Sequence, residues 1–345
     1  MTTLMRFGIK NMLTKESKKA SIVMILKVLE EYSDENHYIT QKEIIEKVYQ
    51  LFGVELERKS VSYSISLLQE LDYDINKSPK GGYALLTRSL ENSEVQYVVD
   101  ALFSSKSING KQAIEIAKKV NSGLSKYQRK DYNYVFKSTD LNRTSNKEVF
   151  YLLELIEEAK RNKKRISFQY QTFDESGNLY NKMDGYRYIV SPYFTVNSNG
   201  RYFLICNYRE KYRSIQIFRI DYMINPKIEE EWPIKPLDSL KGFEKFDISK
   251  YLNENVYLLD GDVVESTLLI EDVSSIGAVI DWFGSSARIY NKNDKIYVDI
   301  KCNENALFYW YMQYSENIIV LSPSKLVDRI KLEAEKILKK HTKQE

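Results

Sequence analysis

The sequence predicts an α+β protein of several domains, and three observations lead to that class. Residues 17–88 read as three short amphipathic helices followed by two extended runs around a Pro-Lys-Gly-Gly turn. Residues 165–220 alternate apolar and polar side chains in short runs, the two-residue period of strands. From Thr267 onward the order reads strand, helix, strand, strand, helix, strand, helix. A chain of 345 residues is long enough for two or three domains that each bury a core.

In the amino-terminal region, Ser17 is placed to cap a helix whose apolar positions are Ile22, Ile25, Leu26 and Leu29. Thr40 followed by Glu43 is a capping-box pattern for a second helix with Ile44, Val48, Leu51 and Phe52 on one side, stopped by Gly53. A third, from about Glu57 to Leu71, buries Val61, Ile65, Leu68 and Leu71. A strand near Ile75, the turn Ser78-Pro79-Lys80-Gly81-Gly82 and a strand Tyr83–Leu86 complete a hairpin. Three helices and a hairpin in this order predict a winged helix-turn-helix over residues 1–88. Its third helix is the one that enters the major groove, which makes Lys59, Ser60, Ser62, Tyr63 and Ser66 the candidate DNA contacts, with Lys77 and Lys80 on the wing. The region holds 13 basic and 12 acidic side chains, so its charge alone marks no polyanion surface, and a protein-interaction role stays open beside it.

Residues 89–145 read as a helical connector: Val95, Val98, Val99, Leu102 and Phe103, then Ala113, Ile114, Ala117 and Val120, form helical stripes. The stretch Gly123–Leu141, with Tyr127, Tyr132, Tyr134 and Phe136, fits helix or loop. Next comes a helix carrying Val149, Phe150, Leu152, Leu153, Ile156 and Ala159. Strands are expected at Arg165–Tyr170, Tyr186–Val190, Tyr193–Asn197, Arg201–Asn207 and Ser214–Ile220, an order that suits a small Sm- or SH3-like barrel. Residues 231–262, with Pro233, Pro236 and scattered glycines, read as a linker whose domain-level bounds are 236–262. The βαββαβ order of residues 263–345 matches a ferredoxin-like domain.

Charge is uneven. The chain carries +3 overall, but residues 159–220 hold 12 Lys/Arg against 4 Asp/Glu. The cluster Lys160, Arg161, Lys163, Lys164, Arg165 opens that segment, and Arg187, Arg201, Arg209, Arg213 and Arg219 follow. A solvated helix end and a polyanion-facing surface both account for the first cluster. Tyrosine density in the same segment keeps open an accessory protein that handles single-stranded nucleic acid.

The tripeptide Tyr202-Phe203-Leu204, the pair Gly200-Arg201, the run Phe218-Arg219-Ile220-Asp221, Tyr170 and Pro192 resemble the WYL domain, a ligand-sensing barrel, over residues 146–235. Tyr202 stands where that family usually has Trp. Tyr188 stands four residues before Pro192, where the family often has Arg, with Arg187 beside it; Gln216 and Tyr222 occupy places where arginines commonly flank Phe-Arg-x-Asp. The resemblance implies a ligand site of Tyr170, Arg187, Tyr188, Arg201, Phe203 and Arg219, and a nucleic-acid or nucleotide effector. Residues 58–83 resemble the DeoR-like regulators that precede such domains. Residues 263–345, with Leu321-Ser322-Pro323 and Phe308-Tyr309-Trp310-Tyr311, resemble the WYL C-terminal extension, which implies dimerisation. Together these imply a ligand-responsive transcriptional regulator, a homodimer on a palindromic double-stranded operator.

An enzyme is not expected. His37 and His341 are the only histidines, and no Gly-rich loop ends in Lys-Ser/Thr. No cofactor or metal is expected. Cys206 and Cys302 lie in apolar strand-like runs and read as core residues. No apolar run reaches the ~20 residues of a membrane helix, Met1–Lys15 lacks the pattern of a secretory signal, and a cytoplasmic chain is expected.

Overall fold

The computed structural model describes residues 20–130, 143–208, 215–259 and 261–342; Ser17, Tyr132, Tyr134, Phe136, Arg209, Arg213 and Ser214 lie outside them. The fold is mixed α+β, in two units, Met1–Ser145 and Asn146–Glu345.

In the first unit, helices α1 (Ser21–Tyr32), α2 (Gln41–Phe52) and α3 (Arg58–Glu70) precede a hairpin of β1 (Ile75–Lys77) and β2 (Tyr83–Leu85). Thr40 and Glu43 form the expected reciprocal cap: the Glu43 N–H donates to Thr40 Oγ1 and the Thr40 N–H to Glu43 Oε2. Gly53 ends α2 in the left-handed region at φ 71°. Met24, Ile25, Val28, Leu29, Ile44, Val48, Val61, Ile65 and Leu68 make the core. Four expected core positions differ. Met24 and Val28, not Ile22 and Leu26, fill the centre of the α1 stripe; Leu51 is half exposed, and Leu71 has left the helix as its exposed C-cap. Gly82 approaches the backbone so closely that a Cβ would sit 3.2 Å from the Ile39 carbonyl, where Ile39 and Tyr83 form a β-bridge.

Helices α4 (Asn92–Ser104) and α5 (Gly110–Asn121) bury Val95, Val99 and Ala117 against each other, with Leu124 of the turn after α5, while Val98 faces outward. The turn after α5 is fastened to the three-helix module. Ser125 Oγ donates to Asp34 Oδ2 at 2.5 Å, Arg129 makes a bidentate pair with Glu31, and the His37 ring stacks on Tyr127 at 3.8 Å.

The second unit opens with α6 (Val149–Arg161), then β3 (Lys164–Phe173), β4 (Leu179–Asn181), β5 (Arg187–Ser198), β6 (Arg201–Tyr208), β7 (Gln216–Arg219) and β8 (Met223–Pro233). The principal order is β8-β3-β5-β6-β7, all antiparallel, with β4 on the far part of β3. Strands β7 and β8 stand at opposite ends of that order yet are joined by Ile220–Tyr222 alone, one turn of 3₁₀ helix. So short a link requires the sheet to curl until its ends approach. Inside lie Phe168, Val190, Leu204, Cys206, Ile220 and Met223, closed by Val149, Leu152, Leu155, Ile156 and Ala159 of α6.

Two strand expectations change. The runs Tyr186–Val190 and Tyr193–Asn197 are one strand, β5, whose register shifts between Pro192 and Phe194 because proline has no N–H for the ladder. Strand β8 is absent from the sequence-based expectation; Pro226 and the run Glu229-Glu230-Glu231 disfavour a strand locally. Its register against β3 slips between Ser167 and Gln169, and Asn225 takes φ 51°, so Pro226 sits at a bulge.

The stretch read as a linker also carries structure. A 3₁₀ turn at Leu237–Ser239 and helix α7 (Ile248–Glu254) lie between β8 and the next strand. Leu240, Phe243, Phe246 and Tyr251 pack with Tyr193, Ile205 and Ile215 on the outer side of the curled sheet. These apolar side chains, spaced among lysines and aspartates, have no periodicity to announce them.

Beyond it come β9 (Val263–Ile270), α8 (Ile276–Phe283), β10 (Arg288–Lys292), β11 (Lys295–Asn303), α9 (Glu304–Tyr314), β12 (Ile318–Val320) and α10 (Ser324–Thr342). The sheet order is β10-β11-β9-β12, antiparallel throughout. Asn293 and Asp294 both take positive φ, as a two-residue hairpin turn between β10 and β11 demands. Trp310, Leu307, Leu268 and Val298 centre the core on one face of this sheet.

Candidate functional sites

The β6–β7 pairing assembles the first candidate site. Register sets Phe203 opposite Arg219 and Leu204 opposite Phe218. Leu204, Phe218 and Tyr202 belong to the interior cluster, so alternation sends Arg201, Phe203 and Arg219 to the outer face. Asp221, the first residue past Ile220 in the turn to β8, lies beneath them with its side chain 1% exposed. It receives Arg219 Nε at 3.1 Å and Nη2 at 2.6 Å, and Arg201 Nη1 at 3.2 Å. Leaving a carboxylate buried without partners costs several kcal/mol, on the order of 3–5 when one partner of a pair is removed. The two arginines are therefore counter-ions first, with one net positive charge left over for a ligand.

Burial works against the charge on Arg219, and its hydrogen bonds to Asp221 outweigh that, so its pKa is raised. The guanidinium also lies 3.9 Å from the centroid of Tyr222, one of the residues standing where the family commonly has arginine. A cation above an aromatic face gains about 0.5–2 kcal/mol. The only sequence signal for this contact is an aromatic residue three positions after Arg219.

The other residues implied by the resemblance are not gathered there. Tyr188 is 7% exposed and packs among Phe168, Tyr186, Tyr208 and Phe218, with centroid distances of 5.1–5.8 Å. Tyr170 joins the same interior; its hydroxyl accepts the Arg219 backbone N–H at 3.2 Å, and burial pushes its pKa up to about 12. Arg187 is exposed and donates through both Nη atoms to the Asn225 carbonyl. In the basic run after α6, Lys160 pairs with Glu157 at 2.7 Å, Lys164 Nζ donates to the Glu230 carbonyl, and Arg165 donates to the Pro233 carbonyl and lies over Trp232.

The second candidate site is the outer face of α3. Lys59, Ser62, Tyr63 and Ser66 are exposed, Tyr63 by 71%, while Ser60 is half-buried. Ser62 Oγ accepts from Gln41 Nε2 at 2.6 Å, which ties the start of α2 to this face. Lys77 and Lys80 are exposed on the hairpin. Serine hydroxyls, a lysine and an upright tyrosine on one helix face offer hydrogen bonds, one cation and an apolar ring to a groove.

Among the described residues no group of three or more His, Cys, Asp and Glu side chains is placed to hold a metal ion. No described helix is long and apolar enough to cross a membrane.

No curated protein matches the chain. Two of the solved structures similar to it are of low identity. One is proteasome accessory factor B/C of Arthrobacter aurescens, at 15% identity and a TM-score of 0.27, over 90% of this chain and 46% of that one. The other is described as a CRISPR Cas-related protein, at 15% identity and a TM-score of 0.38, over 94% of this chain and 84% of that one. The chain thus spans less than half the length of the first. Residues 151–228 match the WYL domain family. They take in all of β3 to β7, the paired arginines and Asp221, and this part of the chain is a WYL domain.

Proposed function

We propose that the protein is a ligand-responsive, DNA-binding transcriptional regulator. The observation that carries this reading is the WYL domain following a three-helix module with a hairpin and an exposed polar helix face. In this reading the first module is a DeoR-like winged helix-turn-helix, with α3 in the major groove and the β1–β2 hairpin against the backbone. The WYL sheet is a small Sm- or SH3-like barrel, the Arg201–Phe203–Arg219 face receives a nucleic-acid or nucleotide effector, and the last module is a ferredoxin-like WYL C-terminal extension that dimerises. A homodimer then spans a palindromic operator in the cytoplasm, and no catalytic step is assigned to it. An effector changes operator affinity only by its own preference between two arrangements of the dimer.

The test is binding of the full chain to double-stranded DNA from upstream of its own gene, against competitor DNA at moderate salt. Preference for one segment, lost or gained with short oligonucleotides as effector, is the expected result. Equal affinity for all duplexes overturns the reading.

A further inference from the structure

The sheet β10-β11-β9-β12 covers only one of its faces with helices. Leu268, Ile270, Val298, Ile300 and Cys302 point to that core. Alternation sends Tyr290, Tyr297, Leu269 and Ile319 to the opposite face, and register sets them side by side: Tyr290 against Tyr297, Tyr297 against Leu269, Leu269 against Ile319. A row of two tyrosines and two aliphatics thus crosses all four strands outside the core. The tyrosine rings lie nearly parallel, 16° apart, with centroids 5.7 Å from each other.

Cations flank the row. Lys292 and Lys295, paired across the hairpin, sit one alternation step to one side; Arg288 sits one step to the other, its guanidinium 5.6 Å from the Tyr290 centroid. One step is about 7 Å along a strand. Beside Arg288 lies a hollow of ≈ 540 Å³ bordered by Thr267, Asp299 and Ser322. Asp299, on the same face, is engaged by the Thr267 hydroxyl at 2.8 Å. Arg288, Lys292 and Lys295 outnumber Asp299 around the row, while Lys301 is paired with Glu254 at 3.2 Å.

We propose that this open face binds single-stranded nucleic acid, with bases stacked on Tyr290 and Tyr297 and phosphates met by Arg288, Lys292 and Lys295. Aromatic side chains on an open four-stranded sheet accept bases of any sequence because every base has a π-face, and the cations beside them track the backbone. The charge favours this occupant over a second copy of the chain. Protein interfaces deplete lysine at their centres, whereas here two lysines adjoin the tyrosine pair directly. The surface lies outside the matched WYL residues and does not depend on the regulator reading.

The experiment is fluorescence anisotropy of the full chain with labelled single strands of about 16 nucleotides, as matched deoxy- and ribo-oligonucleotides. Tyr290→Ala with Tyr297→Ala should weaken binding by at least about tenfold, and Tyr290→Phe with Tyr297→Phe should stay within about twofold, because stacking survives without the hydroxyl. Lys292→Ala with Lys295→Ala should weaken binding and reduce the salt slope by about 1–2. In an Arg201→Ala/Arg219→Ala background, where strands held on the WYL face no longer contribute, the effect of the tyrosine and lysine variants should persist. Sedimentation of the tyrosine variants should match the wild type. No binding by the wild type overturns the proposal. So does unchanged affinity in the alanine or lysine variants, complete loss in the Arg201/Arg219 variant, or an altered oligomeric state in the tyrosine variants. If the alanine pair fails to fold by circular dichroism, the lysine pair alone decides.

Discussion

Asp221 chelates Arg219 through two hydrogen bonds, Nε to Oδ1 at 3.1 Å and Nη2 to Oδ2 at 2.6 Å, and holds Arg201 with the same Oδ2. Stability and ligand affinity are therefore opposed at this carboxylate. Asp221→Asn removes the anion that neutralises two cations and should cost about 3–5 kcal/mol, read from urea unfolding. The same variant should bind polyanions such as heparin more tightly than the wild type. A variant that is as stable as the wild type, or that binds polyanions less well, contradicts the assignment.

If the proposed regulator reading holds, Arg201→Ala with Arg219→Ala should separate effector response from DNA binding. Operator affinity should stay within about threefold, while the change of affinity on adding short oligonucleotide effectors disappears. Loss of operator binding itself would place these arginines in the DNA contact instead.

On α3, Tyr63→Ala and Lys59→Ala leave the core untouched and should change stability by less than about 0.5 kcal/mol. Operator affinity should fall by about 1–3 kcal/mol for a side chain that meets a base edge. Lys59→Ala should instead weaken all duplexes alike and lower the salt slope by about 1. Affinities unchanged in both variants would move the DNA contact elsewhere.

The buried Asp34 makes the first unit sensitive to acid. Burial raises its pKa, but hydrogen bonds from Ser125, His37 and the Asn36 N–H outweigh it, and the carboxyl titrates below its ordinary 3.8. A depressed folded pKa means the contribution is full above 3.8 and is lost as pH falls through the lowered value. Asp34→Asn should cost about 1.5–3 kcal/mol at neutral pH, with the gap from wild type closing in strong acid. Unfolding curves over that range test it; a gap that does not depend on pH is the contrary result.

Cys206 and Cys302 are both 0% exposed, and burial pushes both thiols up, that of Cys302 to about 12. Alkylating reagents should modify neither in the folded protein and both once it is unfolded in urea. Stoichiometric labelling under native conditions would show that either strand opens readily.

Helix ends with strong local chemistry are legible in the sequence, as Thr40, Glu43 and Gly53 show, because capping is decided within four residues. The pairing of Arg219 with Asp221 depends on the 3₁₀ turn, because β7 ends at Arg219 and the turn brings Asp221 back beneath it. Strand β8 is hidden because Pro226 is tolerated only at a bulge that the partner strand creates. Tyr188 shows the deeper limit. Alternation separates it from Arg187, yet nothing local says which side of the sheet is inside. Tyr188 faces in because Phe168, Tyr208 and Phe218 converge there from other strands. Tyrosines that suit a stacking platform on paper thus become packing for a core.

Helix α7 has a mechanical consequence. Tyr251 at its middle is seated on the outer WYL sheet, while its C-cap, Asn255, accepts from Asn303 Nδ2 at the end of β11. Seven residues thus act as a rivet through two plates. A rotation of the last module against the WYL sheet must break either the packing of Tyr251 or the Asn255–Asn303 hydrogen bond.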